Sequence, residues 1–281
     1  MFLFFCVVLV PQKPLPSLTS ERHQNIHAKL DQKSSLFATP ERAAAAVTWT
    51  AGLVYAITAA PGGDPQDAAR DMQLIVDLFD ADTFLDGNTI FFTIFNSLGL
   101  LPLIYSATLL PGARDQSPIP PATLITSFAL GFGGIGPYLA LRQPRPEPVL
   151  RMELGPVARY FTENKLICAF PVLIASVALL VNMGNSIAGP DFGETYEEFS
   201  QMFATSRLTH ISTLDFCVLS LFFFEPCRED MTRRGWWPSD PGARTSPTQI
   251  ARIIGFCALP LLGPALYLVT RPQLLKGDDS F

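Results

Sequence analysis

The sequence predicts an all-α, polytopic transmembrane helical bundle of about six spans, and three observations carry that prediction. Only 16% of its 281 residues are charged while 48% are hydrophobic, against the roughly 25% charged of a soluble domain. The apolar residues fall in separate runs of spanning length rather than at amphipathic spacing. The few charges gather between those runs, and mean hydropathy is positive at +0.28. A net charge of −5 with no basic block excludes a nucleic-acid partner, leaving the lipid bilayer as the first partner.

Residues 1–42 read as a targeting, transit-like or disordered segment. Met1 to Val10 is apolar but too short to span, and a stretch with Lys13, Arg22, Lys29, Lys33 and several Ser and Thr follows. The transmembrane domain is set at 43–272, with a short polar tail at 273–281. Its first span, Ala43 to Ala60, is Ala-rich and ends at Pro61-Gly62-Gly63; the alternative is the second half of a cleaved targeting sequence. An acidic connector follows, with Asp64, Asp67, Asp71, Asp77, Asp80, Asp82 and Asp86, in which Met72, Ile75, Val76, Leu78 and Phe79 mark a short amphipathic surface helix.

The other spans are Thr89 to Leu110, Ala122 to Leu141, Leu166 to Met183, Leu208 to Phe224 and Ile250 to Thr270. Prolines 111, 118, 120 and 121 close a tight connector, so the second and third spans are expected to run antiparallel. Pro102, Pro137, Pro171, Pro260 and Pro264 lie inside spans and imply kinks. Arg142, Arg145, Arg151, Arg159 and Lys165 crowd one loop, and Arg228, Arg233, Arg234 and Arg244 another. An acidic loop with Asp191, Glu194, Glu197 and Glu198 separates them, so the two basic loops are expected on one side.

Asp215 is the first candidate for chemistry. An ionisable group in the apolar run Leu208 to Phe224 costs about 2.5–3.5 kcal/mol on insertion scales, and such residues usually have a role. Asn96, Ser97 and Ser212 are the polar residues expected to cluster with it, with Tyr105 and Tyr267 as further candidates. Arg207, His210, Arg228, Arg233 and Arg234 sit toward span ends, where they either snorkel at a solvated interface or form a headgroup-binding patch. Trp236 and Trp237 suit an aromatic belt. The run GFGGIG carries the letters of a dinucleotide fingerprint but no preceding strand. Gly133 and Gly136, with Ala129 and Ala140, read instead as a close helix-packing face. Five scattered cysteines and three histidines predict neither a disulfide framework nor a metal site, and no cofactor is expected.

The stretches TIFNSLGLLPLIYSATLLPG, GIGPYLALRQP, SRLTHISTLDFCVLSLFF, REDMTRRGWW and ALPLLGPALYLVTRP resemble a multi-pass membrane protein family of cyanobacteria and chloroplasts. The likeness runs from Val47 to Pro272. It implies a helical fold and a chloroplast location, in the thylakoid membrane, with a transit peptide ahead of it; an accessory or assembly role in that membrane, beside a photosynthetic complex, is the first functional expectation. The last two helices also share a pattern with small membrane terpenoid cyclases and the neoxanthin-synthesis family. This raises the alternative of a membrane-embedded terpenoid or carotenoid isomerase or cyclase using Asp215 as acid. A small-molecule or ion transporter ranks third, because no inverted repeat or paired broken helices are visible in the sequence.

Overall fold

A computed structural model describes residues 39–79, 87–114, 116, 120–239 and 243–274. The targeting reading of residues 1–38, the acids Asp80, Asp82 and Asp86, and tail residues 275–281 lie outside it. The described residues are all-helical. Three helical stretches are long and apolar enough to cross a membrane: Thr89–Gly112, Lys165–Ala188 and Arg207–Arg233. The expected count of six spans is not established by these three, and two of the remaining runs are folded double.

The first helix, α1 (Pro40–Thr58), begins three residues before the boundary expected for the membrane domain, with Thr39 as its N-cap. The amphipathic α2 (Pro65–Phe79) follows, then α3 (Thr89–Leu109), capped by Asn88. The run expected as the third span is not one helix. It splits into α4 (Pro120–Leu130) and α5 (Phe132–Leu141) at Gly131, whose φ of 50° an L side chain rarely adopts. The two halves fold back on each other: a Cβ on Gly134 would lie 2.5 Å from the Ser127 nitrogen. Seven residues of continuous helix would hold those atoms about 10 Å apart. At the open end, Gln116 bonds the Gln143 backbone in both directions, and the Arg145 side chain donates to the Arg114 carbonyl. Both ends of this hairpin therefore lie at the same end of the bundle.

After two π-helical turns (Val157–Thr162 and Lys165–Ala169) come α6 (Phe170–Ala188), α7 (Phe192–Thr205), α8 (Arg207–Phe222) and α9 (Phe224–Arg233), the last two nearly continuous. The run expected as the sixth span is again folded double, as α10 (Pro247–Ala258) and α11 (Leu262–Thr270). Leu261 makes the turn with φ 65°, and a Cβ on Gly263 would overlap the Phe256 carbonyl. The Phe256 and Tyr267 rings, eleven positions apart, sit 5.3 Å centroid to centroid. Pro260 and Pro264 accompany this reversal, where the sequence suggested only a kink.

The described helices thus run through one order of elements twice. Each half consists of an apolar helix (α1, α6), a short amphipathic helix (α2, α7), a long helix (α3, α8–α9) and a helical hairpin (α4–α5, α10–α11). Residue detail supports the correspondence. Gly134, Tyr138 and Arg142 recur as Gly263, Tyr267 and Arg271, four apart in each case, and both glycines pack against the residues seven and eight positions earlier. The halves also cap one another. Asp71, seventh residue of α2, accepts from the Ser206 hydroxyl (2.6 Å) and the Leu208 amide (2.9 Å) at the start of α8. Glu198, seventh residue of α7, accepts from Asn88 (2.8 Å) at the start of α3. The halves run in the same direction, so the relation is a parallel repeat about an axis along the bundle, and both hairpins enter from one end.

Charge sorts to the two ends. One end holds α2, α7 and the acidic segment; the other gathers Arg142, Arg145, Arg228, Arg233, Arg234 and Arg271. Large apolar side chains remain exposed around the outside of α1 and α6, among them Val54, Ile57, Ile174 and Val181. Of the α6 span only 22% is buried, against 61% for α3, so α3 forms the axis and α6 the periphery. Asp71→Ala removes a cap that joins the halves. It is expected to cost about 0.5–2 kcal/mol, read as a lowered unfolding midpoint in detergent.

Candidate functional site

Asp215 meets the tip of the first hairpin. Its Oδ1 accepts from the Phe132 amide at 2.8 Å, so a side chain from the second half caps the N-terminus of α5 in the first. Gly131 makes this possible, because any Cβ there would overlap the carboxylate. At the other end of α5, the Arg42 guanidinium donates to the Ala140 (2.9 Å) and Leu141 (3.2 Å) carbonyls. A ten-residue helix thus carries an anion at its positive end and a cation at its negative end, matching its dipole. Along its side, Gly136 lies against Trp49, whose indole donates to the Gly133 carbonyl at 3.0 Å. Gly133 itself has room for a methyl group, and Gly134 is the glycine that α4 requires.

Four of the polar residues expected around Asp215 are engaged elsewhere. Asn96 donates to the Phe92 carbonyl and Ser97 to that of Thr93, both one turn back in α3. Tyr105 donates to the Leu219 carbonyl at 2.6 Å, and Tyr267 to Asp230 at 2.8 Å. Ser212 is buried in α8.

The five residues grouped as a headgroup patch do not form one. Eighteen helical residues separate His210 from Arg228, about 27 Å. Arg207 donates to the Ala60 and Pro61 carbonyls, closing the end of α1. His210 is held between the Tyr55 hydroxyl (2.8 Å) and the Phe203 carbonyl (2.9 Å), with the Phe203 ring stacked on it. Arg228 stays 40% exposed and pairs loosely with Glu41 at 3.4 Å. Arg233 and Arg234 are buried rather than solvated. Glu229 and Asp230 stand one helical turn back and Glu163 meets Arg234 from another segment, so both guanidiniums are paired within the protein.

Those partners belong to an ionic network that the sequence reading missed. Arg142 pairs with Glu225 and Glu229; Arg233 pairs with Glu229 (2.7 Å) and Asp230 (2.8 Å). Arg234 pairs with Asp230 (2.8 Å) and Glu163 (2.6 Å), and Arg271 with the same two acids, each at 2.9 Å. Four arginines and four acids therefore balance. Spare donors reach the C-terminal carbonyls of α3, from Arg233 to Thr108 and from Arg271 to Ala107. Burial works against the charge on Arg142, but Glu225 and Glu229 raise its pKa above the ordinary value; Asp230 and Glu163 do the same for Arg234. Arg142 and Arg271 are the repeat-related arginines ending each hairpin, so the network fastens both hairpins to α9 and α3. The i, i+3 and i, i+4 spacing of Glu229, Asp230, Arg233 and Arg234 was its visible signal.

A cleft of about 510 Å³ opens at this basic end, between α1, α5 and α9. Arg42, Arg142 and Arg228 line it together with Glu41, Glu225 and Glu229, and Trp237 forms part of its wall. The arrangement offers a mouth of mixed charge at the C-terminal end of α5, whose N-terminus is occupied by Asp215. No group of three or more His, Cys, Asp or Glu able to hold a metal occurs among the described residues. No family model, curated protein or solved structure matches this chain.

Proposed function

We propose that the protein is an integral membrane transporter for a small solute or ion, with the charged cleft as its mouth and the Asp215-capped tip of α4–α5 as its gate. The observation that supports this reading is the pair of helical hairpins entering from one end. Interrupted helices at membrane depth are tolerated where they are buried in protein or line a water-filled path. In secondary transporters such broken helices recur in corresponding positions of repeated halves. The transport reading thereby moves ahead of the accessory reading, which the sequence alone favoured.

An accessory or assembly role in the chloroplast, in the thylakoid membrane beside a photosynthetic complex, is the second reading. The family resemblance supports it, as does the broad apolar face of α6. An isomerase or cyclase using Asp215 as acid needs a second polar group converging on that carboxylate, and Asn96 and Ser97 bond within their own helix instead.

Asp215→Asn separates the three. In liposomes holding the purified protein, fluxes of protons, chloride, nitrate and phosphate are followed with entrapped dyes. The transport reading predicts a protein-dependent flux that the variant changes at least tenfold. In the native organism, normal flux with loss or mis-sizing of one complex on native gels would favour the accessory reading. Accumulation of an unconverted pigment precursor would favour the enzyme.

A further inference from the structure

Two cations are left over where the chain enters α6. Residues 157–170, the two π-helical turns and the first residue of α6, carry Arg159, Glu163 and Lys165 as their only charged side chains. Glu163 is buried and committed to Arg234 and Arg271. Among the described residues neither Arg159 nor Lys165 pairs with a carboxylate. The Arg159 guanidinium lies instead 5.4 Å from the centroid of the Tyr160 ring, which is 64% exposed, so the stacking holds that charge at the outer surface. The segment is fixed at the basic end of the bundle, where Arg271 donates to the Thr162 carbonyl at 2.9 Å. An apolar outer face begins directly beyond these cations. Leu166, Ile167, Phe170 and Ile174 are all exposed, on a span of which only 22% is buried. Basic side chains, an exposed tyrosine and apolar surface therefore follow one another in the order of a headgroup layer and the hydrocarbon beneath it.

We propose that Arg159, Tyr160 and Lys165 form a binding site for the headgroup of an anionic phospholipid, whose acyl chains lie along Phe170 and Ile174. Charge complementarity selects the occupant. A zwitterionic headgroup brings an ammonium of its own toward two cations that lack a carboxylate, whereas an anionic headgroup supplies the missing negative charge. Arg159 and Lys165 are six positions apart, about 9 Å of helical rise, and their long side chains can close on one headgroup between them. Arg228 is the contrast at the same end of the bundle: it has Glu41 as its partner and lines the cleft. The site rests on the protein being embedded in a membrane and not on the transport reading, since it includes neither Asp215 nor any residue lining the cleft.

The test titrates the full-length protein in detergent with phosphatidylglycerol and with phosphatidylcholine of the same acyl chains, counting bound lipid by native mass spectrometry. The wild type is expected to bind phosphatidylglycerol about tenfold more tightly or better, as two basic residues at a membrane surface warrant. R159Q/K165Q should bring the two lipids to within about twofold while leaving the lipid-free unfolding midpoint unchanged, R159K/K165R should restore the preference, and R228Q should keep it. If the double variant fails to fold, K165Q alone should still lower the preference about threefold or more. Equal affinities in the wild type, a preference that survives R159Q/K165Q, or one lost in R228Q would each overturn the proposal. So would inorganic phosphate displacing phosphatidylglycerol as readily as free lipid does, which would mark a simple anion site.

Discussion

Asp230→Ala is expected to abolish accumulation of the folded protein. The carboxylate is fully buried and is shared by Arg233, Arg234 and Arg271, with the Tyr267 hydroxyl as a fourth donor. Removing it leaves three guanidiniums facing one another with Glu163 and Glu229 as their remaining counter-charges. Breaking a buried pair by deleting one partner costs about 3–5 kcal/mol, and here one deletion touches three pairs. That is comparable to the whole stability of many domains. Arg228→Ala is the contrasting control: its pair with Glu41 is loose and exposed, so a change of about 0–1 kcal/mol is expected. Yield of monodisperse protein and the unfolding midpoint in detergent measure both. The network contributes placement more than net energy, because a buried charge array is weak evidence for stability as such. It determines where the returning helices of the two hairpins end.

The second large effect is expected at Gly131. Gly131→Ala meets two obstacles: a φ of 50°, and a methyl group that would overlap the Asp215 carboxylate. The left-handed conformation alone costs roughly 1–2 kcal/mol. Relief of the overlap would expel Asp215 and so strip α5 of its cap, for about another 0.5–2 kcal/mol. The double variant Gly131→Ala/Asp215→Ala is therefore expected to be less destabilised than the sum of the two single variants, by about 0.5–3 kcal/mol. Additive losses in the unfolding midpoints would mean that the tip and the carboxylate are not in contact.

How far the sequence discloses this architecture depends on the residue. The long apolar stretches Thr89–Gly112, Lys165–Ala188 and Arg207–Arg233 are plain from composition, because lipid and protein interiors ask for the same residue types. Hydropathy cannot tell a helix that crosses from one that turns back halfway, since both present about twenty apolar residues. The difference lay in Gly131 and in Leu259 to Gly263, where glycine or a positive φ permits reversal. Pro137 and Pro264, read as kinks, lie just after those turns in the returning helices. The repeated order of elements was likewise hidden. Residues 134–142 and 263–271 share four letters in nine, Gly134, Tyr138, Leu139 and Arg142 against Gly263, Tyr267, Leu268 and Arg271, too few to notice until both are placed on returning helices.

Asp215 was picked out for its cost, and the structure assigns that cost a use as a cap. Asp230 is buried more deeply, yet it sits in the run REDMTRR, whose density of charge suggested a solvated helix end. Burial of that run depends on Arg142, Arg271 and Glu163, which are distant in sequence, and local reading cannot anticipate partners supplied by tertiary structure. His210 and Arg207 were grouped with Arg228 because they share a chemical type. The rise of the helix places them at opposite ends.

The central claim is that both hairpins enter and leave at one end, and thiol labelling with a membrane-impermeant maleimide tests it most directly. Single cysteines are placed at the exposed positions Arg114 and Glu147, flanking α4–α5, at Arg244 and Gln273, flanking α10–α11, and at Glu197 in α7. In sealed vesicles of one orientation, the four flanking positions should label together, and Glu197→Cys should label only when the opposite face is exposed. Labelling of Arg114→Cys and Glu147→Cys from opposite faces would mean that the chain crosses the membrane between them, and the hairpin account would be wrong.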